Sequence, residues 1–112
     1  MIEINVIKDE KGFIWQFIVQ GHAGYDEFGK DIICSAVTVT VLNASNAIEE
    51  IVGIKADDTT KLKDGYVLMS IPENVSKSKK HDISVIMRTT LIGFKSIELK
   101  YNKFVSVIEE EV

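Results

Sequence analysis

The spacing of apolar residues first changes from a strand period to a helical period at a glycine-rich segment, and this change constrains the fold more than any other feature. Residues 2–8 alternate apolar and polar side chains at the period of a β-strand, and residues 13–19 are mostly aromatic and β-branched. The turn between them ends in Gly12. Residues 33–51 instead repeat apolar or small side chains at helical spacing. The pattern predicts a β-hairpin followed by a helix.

The ends of this helix are predicted from residues that commonly cap helices. Asp31 is a good N-cap residue and Gly53 is a good terminator, so we predict that Asp31 caps the helix and Gly53 ends it. Within it, residues 37–41 are rich in β-branched side chains, which favour a strand locally. We give more weight to the longer helical period and predict a continuous helix.

The rest of the chain predicts a second hairpin, a second helix and a last strand. The hairpin comprises residues 54–62 and 66–71 around an Asp-Gly turn, the helix covers residues 83–97, and the strand covers residues 101–108. The predicted order is ββαββαβ. It indicates an α+β fold of one domain, residues 1–112, in which two helices cover a mostly antiparallel sheet.

Composition narrows the classes of function. A chain of 112 residues suffices for one core, and a single cysteine cannot close an internal disulfide. We find no secretion signal and no apolar run of about 18 residues, so we expect a cytoplasmic protein without a membrane segment. The formal net charge of −4 argues against direct binding to nucleic acid, since phosphate backbones attract basic surfaces.

Residues 21–34 contain the groups best suited to chemistry: the only cysteine, one of the two histidines and three of the seven glycines. A helix capped at Asp31 would place Cys34 in its first turn, where free N–H groups and the helix dipole favour a thiolate. A loop that doubles back would bring the His22 imidazole to this sulfur. These residues therefore predict a Cys-His pair.

Each of these residues also has an ordinary interpretation. A lone cysteine is most often a small buried hydrophobe, and a histidine at a strand end can simply bond to backbone. Asp26 and Glu27 could join His22 and Cys34 in a metal site, but their spacing matches no specific ligand pattern, so we predict no metal. We assign no function to His81, which lies in a polar run.

The same segment resembles a known family. Gly21-His22-Ala23, followed after a short loop by Asp-Ile-Ile-Cys-Ser-Ala-Val-Thr at residues 31–38, is similar to the Prp family of bacterial ribosomal-processing cysteine proteases. The corresponding motif in that family is Gly-His-Ala followed by Asp-Ile-Val-Cys-Ala-Ala-Val-Ser. The resemblance is specific over residues 21–38 and looser over the whole chain. Ser35 replaces an alanine and Thr38 replaces a serine, whereas Ile33 in place of valine is a change between similar aliphatic residues.

The resemblance implies roles for individual residues. Cys34 would be the nucleophile and His22 the general base and acid. Thr38 keeps a hydroxyl one turn after the cysteine and would support the site, whereas Asp31 would either orient His22 or only cap the helix. The glycines between His22 and Cys34 indicate a lid that orders on a bound peptide. The residues expected in this substrate loop are Gly21, Ala23, Gly24, Tyr25, Phe28 and Gly29.

The resemblance also implies a substrate and a partner. Prp-like proteases remove a short N-terminal extension from a ribosomal large-subunit protein, cut after an aromatic pair, act as homodimers and use no metal or organic cofactor. A different class of function remains open at this point, namely a non-catalytic peptide-binding or ribosome-assembly module. A redox-sensor thiol would lack a resolving cysteine within the chain. The cleavage motif and the dimer interface are not fixed by the sequence.

Overall fold

The computed structural model describes residues 1–21 and 32–112 in full and the backbone of residues 27–31. Over these residues the chain forms strands and helices in an order close to the predicted one. The elements are β1 (Ile2–Lys8), β2 (Ile14–Gly21), α1 (Glu27–Ala47) continued by a π-helical turn (Ile48–Val52), α2 (Ala56–Thr59), β3 (Thr60–Lys63), β4 (Tyr66–Ser70), α3 (Lys77–Lys100) and β5 (Val105–Glu111).

The strands form one sheet in the order β3-β4-β2-β1-β5. Every neighbouring pair is antiparallel except β1 and β5, which run parallel. A parallel neighbour requires a crossover connection, and α3 provides the one that leads into β5. The predicted α+β fold with a mostly antiparallel sheet is therefore confirmed.

The long helices cover one face of this sheet. In β1, Ile2, Ile4 and Val6 are at most 2% exposed, whereas Glu3 between them is exposed, as expected for a strand with one buried face. The Phe17 ring of β2 packs edge-on against Phe94 of α3, with 5.1 Å between ring centroids. The core contribution of α1 comes from its predicted apolar stripe, which includes Ile33, Val37, Val41, Ala44 and Ile48.

The two ends of α1 differ from each other in how well the sequence predicted them. Gly53 has a φ of 88° and its N–H bonds to the carbonyl oxygens of Ile48 and Glu49, so the predicted terminator is confirmed. The predicted start is wrong, because the helix begins at Glu27 and Asp31 lies inside it. A single glycine at position 29 costs about 1 kcal/mol in a helix but does not stop one.

Two further predictions are corrected. Part of the strand predicted over residues 54–62 is instead a short third helix, α2, and the strand begins only at Thr60. Two acidic residues in its first turn, Asp57 and Asp58, suit the positive end of a helix dipole. The last strand begins at Val105, four residues later than predicted, because Tyr101 and its neighbours form the turn that leaves α3.

The chain has no uninterrupted apolar run of about 18 residues, but one helix has a high mean hydropathy. Residues Ile32–Val52 form a helix that is long and apolar enough to cross a membrane, judged by length and composition alone. The core helix of a soluble protein passes the same test. In this chain that helix packs its buried stripe onto the sheet.

Candidate active site

Cys34 lies on α1 about two turns after the helix start at Glu27. The predicted first-turn position is therefore wrong. The influence of a helix terminus fades within one turn, and the N–H groups around Cys34 lie within the helix, so its free N-terminal groups do not serve this sulfur. Cys34 is a free, half-buried thiol at the edge of the core.

The thiol side of α1 borders a cavity of about 240 Å³. Thr38, one turn further along the helix, lines the same cavity. The other lining side chains are mostly apolar. They come from the ends of β1 and β2, from α1 and from the β3–β4 hairpin: Ile2, Val19, Gly21, Val37, Leu62, Lys63, Asp64, Gly65, Tyr66 and Val67.

Gly21 ends β2 at the rim of this cavity, and two features require a glycine there. Its φ of 96° lies in the left-handed region, and a Cβ at this position would collide with the carbonyl oxygen of Met1. Its N–H donates to the carbonyl oxygen of Gly65 at 3.0 Å, which ties β2 to the β3–β4 hairpin. His22 follows directly, so the chain enters the predicted catalytic segment from the cavity rim.

The opposite side of the cavity is formed by residues 62–66, which we call the hairpin wall. Leu62 pairs with Val67 on the helix side of the sheet, yet it is 56% exposed because β3 is an edge strand beyond the helical layer. Among the residues whose side chains the structure describes, the charged ones at the rim are Lys63 and Asp64. The described part of the cavity thus combines an apolar floor with one residue of each charge at its rim.

Sequence reasoning did not assign the hairpin wall to the site. The Asp64-Gly65 turn was recognised as a hairpin turn, but a turn signal does not say what lies beside it. Only the position of β3 at the edge of the sheet brings this hairpin beside α1. The one available signal for this assignment was Leu62, an apolar residue in a short strand at the edge of the sheet.

Among the predicted site residues, the structure brings together Gly21, Cys34 and Thr38. His22, Ala23, Gly24 and Tyr25 lie outside the described residues, as does Asp26 of the alternative metal site. In the part of the chain that the structure describes, no group of three or more His, Cys, Asp and Glu side chains gathers as a metal site would need.

Three other predicted site residues lie in α1. The backbone of Phe28, Gly29 and Asp31 is helical and does not form the expected loop. Their side chains are not among those described. The contact between His22 and Cys34 and the orienting role of Asp31 stay predictions.

Comparison with known sequences identifies the family of the chain. The family model described as cysteine protease Prp matches residues 1–106. The ribosomal processing cysteine protease Prp of Bacillus subtilis is 25% identical over 101 residues, which is 90% of each chain. The protein of the same name from Staphylococcus aureus is 25% identical over 104 residues, covering 92% of this chain and 93% of that one.

Comparison with solved structures agrees with the fold. A crystal structure of a Streptococcus mutans protein superposes with a TM-score of 0.82 at 23% identity, over 100% of this chain and 96% of that chain. The Staphylococcus aureus Prp protease in complex with a covalently linked product peptide superposes with a TM-score of 0.76 at 22% identity, over 98% and 100% of the two chains.

Proposed function

Since the chain belongs to the cysteine protease Prp family, we propose that it is a cysteine endopeptidase that removes a short N-terminal extension from a ribosomal large-subunit protein in the cytoplasm. One observation carries this proposal. The only cysteine of the chain is a free thiol that borders a cavity, and the segment that contains it resembles the family motif. A cysteine that served only packing would not need a cavity beside it.

In the proposed reaction Cys34 is the nucleophile. Its sulfur bonds to the carbonyl carbon of the scissile peptide while His22 takes the thiol proton. The C–N bond then breaks, and His22 gives that proton to the leaving amine. Water attacks the thioester with its proton passing to His22, the new carboxyl group leaves, and the proton returns to sulfur. The cycle balances without a cofactor.

Thr38 and Asp31 support this pair in the proposal. Thr38 lines the cavity one turn after Cys34, and we assign its hydroxyl the role of hydrogen-bonding the substrate beside the sulfur. Asp31 is one turn before Cys34 along α1, and we assign it the orienting role toward His22, since capping is excluded by the helix start.

The cavity favours an apolar substrate side chain beside the scissile bond. Its floor is formed by aliphatic residues, and Leu62 and Tyr66 of the hairpin wall add apolar surface that the core does not cover. A volume of about 240 Å³ has room for one large side chain. An extended N-terminal segment with aromatic residues meets these requirements. We propose that residues 23–29 complete the substrate contacts and that the enzyme acts as a homodimer.

The test is incubation with a ribosomal large-subunit protein that carries its N-terminal extension, followed by intact mass measurement. The expected result is a shortened protein and a released peptide whose masses sum to the substrate plus one water. An intact substrate in the presence of well-folded enzyme would contradict the proposal. It would leave the non-catalytic peptide-binding module as the explanation of the site.

A second measurement tests the Cys-His pair. Iodoacetamide should label Cys34 near neutral pH faster than it labels glutathione, and His22→Ala should slow the labelling. The same substitution should lower the cleavage rate by a factor of about 10² to 10⁴, the usual effect of losing a positioned acid–base group. His81→Ala is the matched control, since that exposed histidine lies on α3. Equal effects of the two substitutions would remove His22 from the mechanism.

A further inference from the structure

The charge of the chain is unevenly distributed along it. Helix α3, Lys77–Lys100, contains six basic and two acidic residues, so its formal charge is +4, whereas the whole chain has a formal net charge of −4. The remaining 88 of the 112 residues therefore have a formal charge of −8. A negative net charge argues against nucleic acid for a surface of average composition, and α3 departs strongly from that average.

The basic residues of α3 are concentrated on one side of its N-terminal half. At about 100° per residue, five polar side chains lie within an arc of roughly 100°, namely Lys77, Lys80, His81, Ser84 and Arg88. Asp82 is the only acid between positions 77 and 97 and lies roughly 150° from the middle of this arc. The first turn contains three lysines and no acid, although acids are what the positive end of a helix dipole favours. The helix therefore keeps this positive charge against its own local electrostatics.

This side of α3 and the β1–β2 turn form an open groove of about 490 Å³. Its basic lining side chains are Lys11, Lys80, His81 and Arg88, and none of the lining residues that the structure describes is acidic. Asp9 of the same turn does not line the groove, and its carboxylate accepts the backbone N–H groups of residues 11 and 13 at 2.9 and 3.0 Å. The ion pairs of the described residues lie elsewhere, around β5. We call the surface of the four basic residues and Phe13 the basic groove.

An aromatic ring lies among these cations. Phe13 lines the basic groove and packs edge-on against Trp15, with 4.7 Å between the ring centroids. The Lys80 ammonium group lies 5.4 Å from the Phe13 centroid and 5.2 Å from that of Trp15, so both half-buried rings are held in place. A positively charged groove with an aromatic side chain is typical of proteins that bind single-stranded nucleic acid, whose phosphates meet the cations while a base stacks on the ring. The carboxylates of an acidic peptide would use the cations alone.

We propose that the basic groove binds single-stranded RNA, with phosphates on Lys11, Lys80 and Arg88 and one base stacked on Phe13. The Ser84 hydroxyl in the same groove can hydrogen-bond a ribose 2′-hydroxyl, the group that distinguishes RNA from DNA. The choice of RNA over DNA also rests on the proposed function, because a ribosomal protein is found together with RNA. The phosphate contacts themselves follow from the groove and need no cleavage activity.

The length of the basic row favours a strand over a single nucleotide. Lys77 and Arg88 are about 16 Å apart along the axis of α3. A strand of nucleic acid has one phosphate for about every 3.4 Å of its axis, so the row can contact several phosphates of one strand. A free mononucleotide would occupy only part of it.

The basic groove and the Cys34 cavity lie at opposite ends of the sheet. Ile2 and Gly21 pair with each other beside the cavity, whereas Lys8 and Ile14 pair next to the β1–β2 turn that borders the groove. The six residues of β1 between these pairs extend over about 20 Å. A strand of RNA in the groove therefore leaves the thiol accessible to a substrate, and substitutions in the groove should not change the reactivity of Cys34.

Fluorescence anisotropy with a labelled, unpaired RNA of about 12 nucleotides tests the basic groove. The wild-type chain should bind it at low salt with a dissociation constant of about 1–100 µM, and the affinity should fall with salt by about 0.7 logarithmic units per contacted phosphate. Combining Lys11→Ala with Arg88→Ala should weaken binding about tenfold or more and reduce the salt slope by about 1.4, because two phosphate contacts are lost. The matched control combines Lys61→Ala with Lys103→Ala, which removes the same charge from exposed sites outside the groove. It should change the affinity by less than about twofold and leave the slope unchanged.

Phe13→Leu separates RNA from other anions, since it keeps the charge of the groove and most of the apolar volume. It should weaken RNA binding by about fivefold or more through the loss of base stacking, and leave the binding of labelled polyphosphate unchanged. A DNA strand of the same sequence should bind about threefold more weakly than RNA or worse, because it lacks the 2′-hydroxyl. Circular dichroism and unchanged iodoacetamide labelling of Cys34 would show that each variant is folded.

Four outcomes would overturn the proposal: no binding of the RNA up to about 100 µM protein at low salt, equal losses in the groove variant and its matched control, an unchanged RNA affinity in Phe13→Leu, and a labelled polyglutamate peptide or the DNA strand bound as tightly as the RNA. RNA binding that the groove variant loses, in a protein that cleaves no ribosomal protein, would keep this inference and reject the proposed function. Cleavage by a protein that binds no RNA would do the reverse.

Discussion

Two regions of α1 contain similar small and hydroxyl-bearing residues, yet one is open and the other is closed; we call them the open end and the closed end. At the open end, which is the stretch from Cys34 to Thr38, the helix borders a cavity of about 240 Å³. At the closed end Ser45 is 1% exposed and accepts a hydrogen bond from the Thr60 hydroxyl at 2.7 Å, with the Thr59 hydroxyl 3.3 Å away. The closed end holds the helix in place, and the open end presents the sulfur.

From this comparison we expect one set of residues to control the rate of cleavage and another set to control the free energy of unfolding. Changes at the open end should alter cleavage and leave the free energy of unfolding nearly unchanged, because a cavity already lies beside them. Changes at the closed end should lower the free energy of unfolding and leave cleavage by the folded protein nearly unchanged. A buried hydroxyl that loses its hydrogen-bond partner destabilises the fold whether or not substrate is bound. Each prediction below compares one end with the other or with a surface site.

The largest effect is expected for Cys34→Ser at the open end. The two side chains differ by one atom, so the fold should be retained, while a hydroxyl is a much poorer nucleophile than a thiol at neutral pH. Cleavage of the ribosomal substrate, followed by intact mass, should fall by a factor of about 10³ or more. Retention of more than about a tenth of the wild-type rate, where chemistry limits turnover, would show that Cys34 is not the nucleophile.

A smaller effect is expected for Leu62→Asn in the hairpin wall. Leu62 is 56% exposed beside the cavity, so its loss should barely change stability, but the substrate would lose an apolar contact. We expect kcat/KM to fall by about tenfold, mostly through KM.

Lys61→Asn is the control for Leu62, because Lys61 is the neighbour in β3 that points to the other face of the sheet. It should leave kcat/KM unchanged. If the two substitutions had equal effects, the hairpin wall would not be a substrate contact. A loss of kcat alone in Leu62→Asn would instead place this residue at the reacting atoms.

The open and closed ends also differ in how far the sequence reveals them. The helical stripe from Ile33 to Ile48 was predictable despite the β-branched run inside it, because burial against a sheet outweighs local strand propensity. Gly53 was predictable for a similar reason, since a left-handed terminator is a local requirement. These features depend on the residues themselves and their near neighbours.

The start of α1 and the hairpin wall were not predictable in the same way. Asp31 has the chemistry of a cap, but a helix begins wherever the preceding residues can also be helical, and here Glu27 is the first. The cavity depends on β3 lying at the edge of the sheet beside Cys34, which is a long-range consequence of strand order. Only the resemblance to the family motif led us to propose Cys34 as the nucleophile and His22 as its base, since periodicity alone would have left Cys34 as one more residue of the helix.

At the closed end, Ser45→Ala should destabilise the protein by about 1–3 kcal/mol. The substitution removes the acceptor of the Thr60 hydroxyl and leaves the buried Thr59 hydroxyl with fewer partners. Urea unfolding should show the loss, while kcat/KM per folded molecule stays at the wild-type value. Ser78→Ala is the control, because Ser78 is exposed on α3, and it should change stability by less than about 0.5 kcal/mol. A loss of activity without a loss of stability in Ser45→Ala would contradict the division between the two ends.

The smallest effect is expected at a surface site away from both ends, where Glu109 of β5 bonds to Lys95 of α3 at 2.9 Å and to Lys8 of β1 at 3.0 Å. The hydrogen bond from Lys95, followed by that from Lys8, lowers the pKa of Glu109 below its ordinary value of 4.5. The charged form is therefore favoured in the folded state. The stability it contributes is complete above pH 4.5 and is lost as the pH falls through the lowered folded-state value.

Glu109→Gln tests this contribution by removing the charge and keeping the shape. We expect it to cost less than about 1 kcal/mol at pH 7, because all three side chains are partly exposed and solvent screens the pairs. The difference from wild type, measured by urea unfolding, should shrink toward zero at acidic pH and also in about 1 M salt. A cost that stays constant from neutral to acidic pH would mean that Glu109 stabilises β5 through packing and not through its charge. Glu109→Gln should cleave substrate at the wild-type rate at every pH at which both proteins are folded. These ion pairs connect β5 to α3 and β1 and do not line the Cys34 cavity.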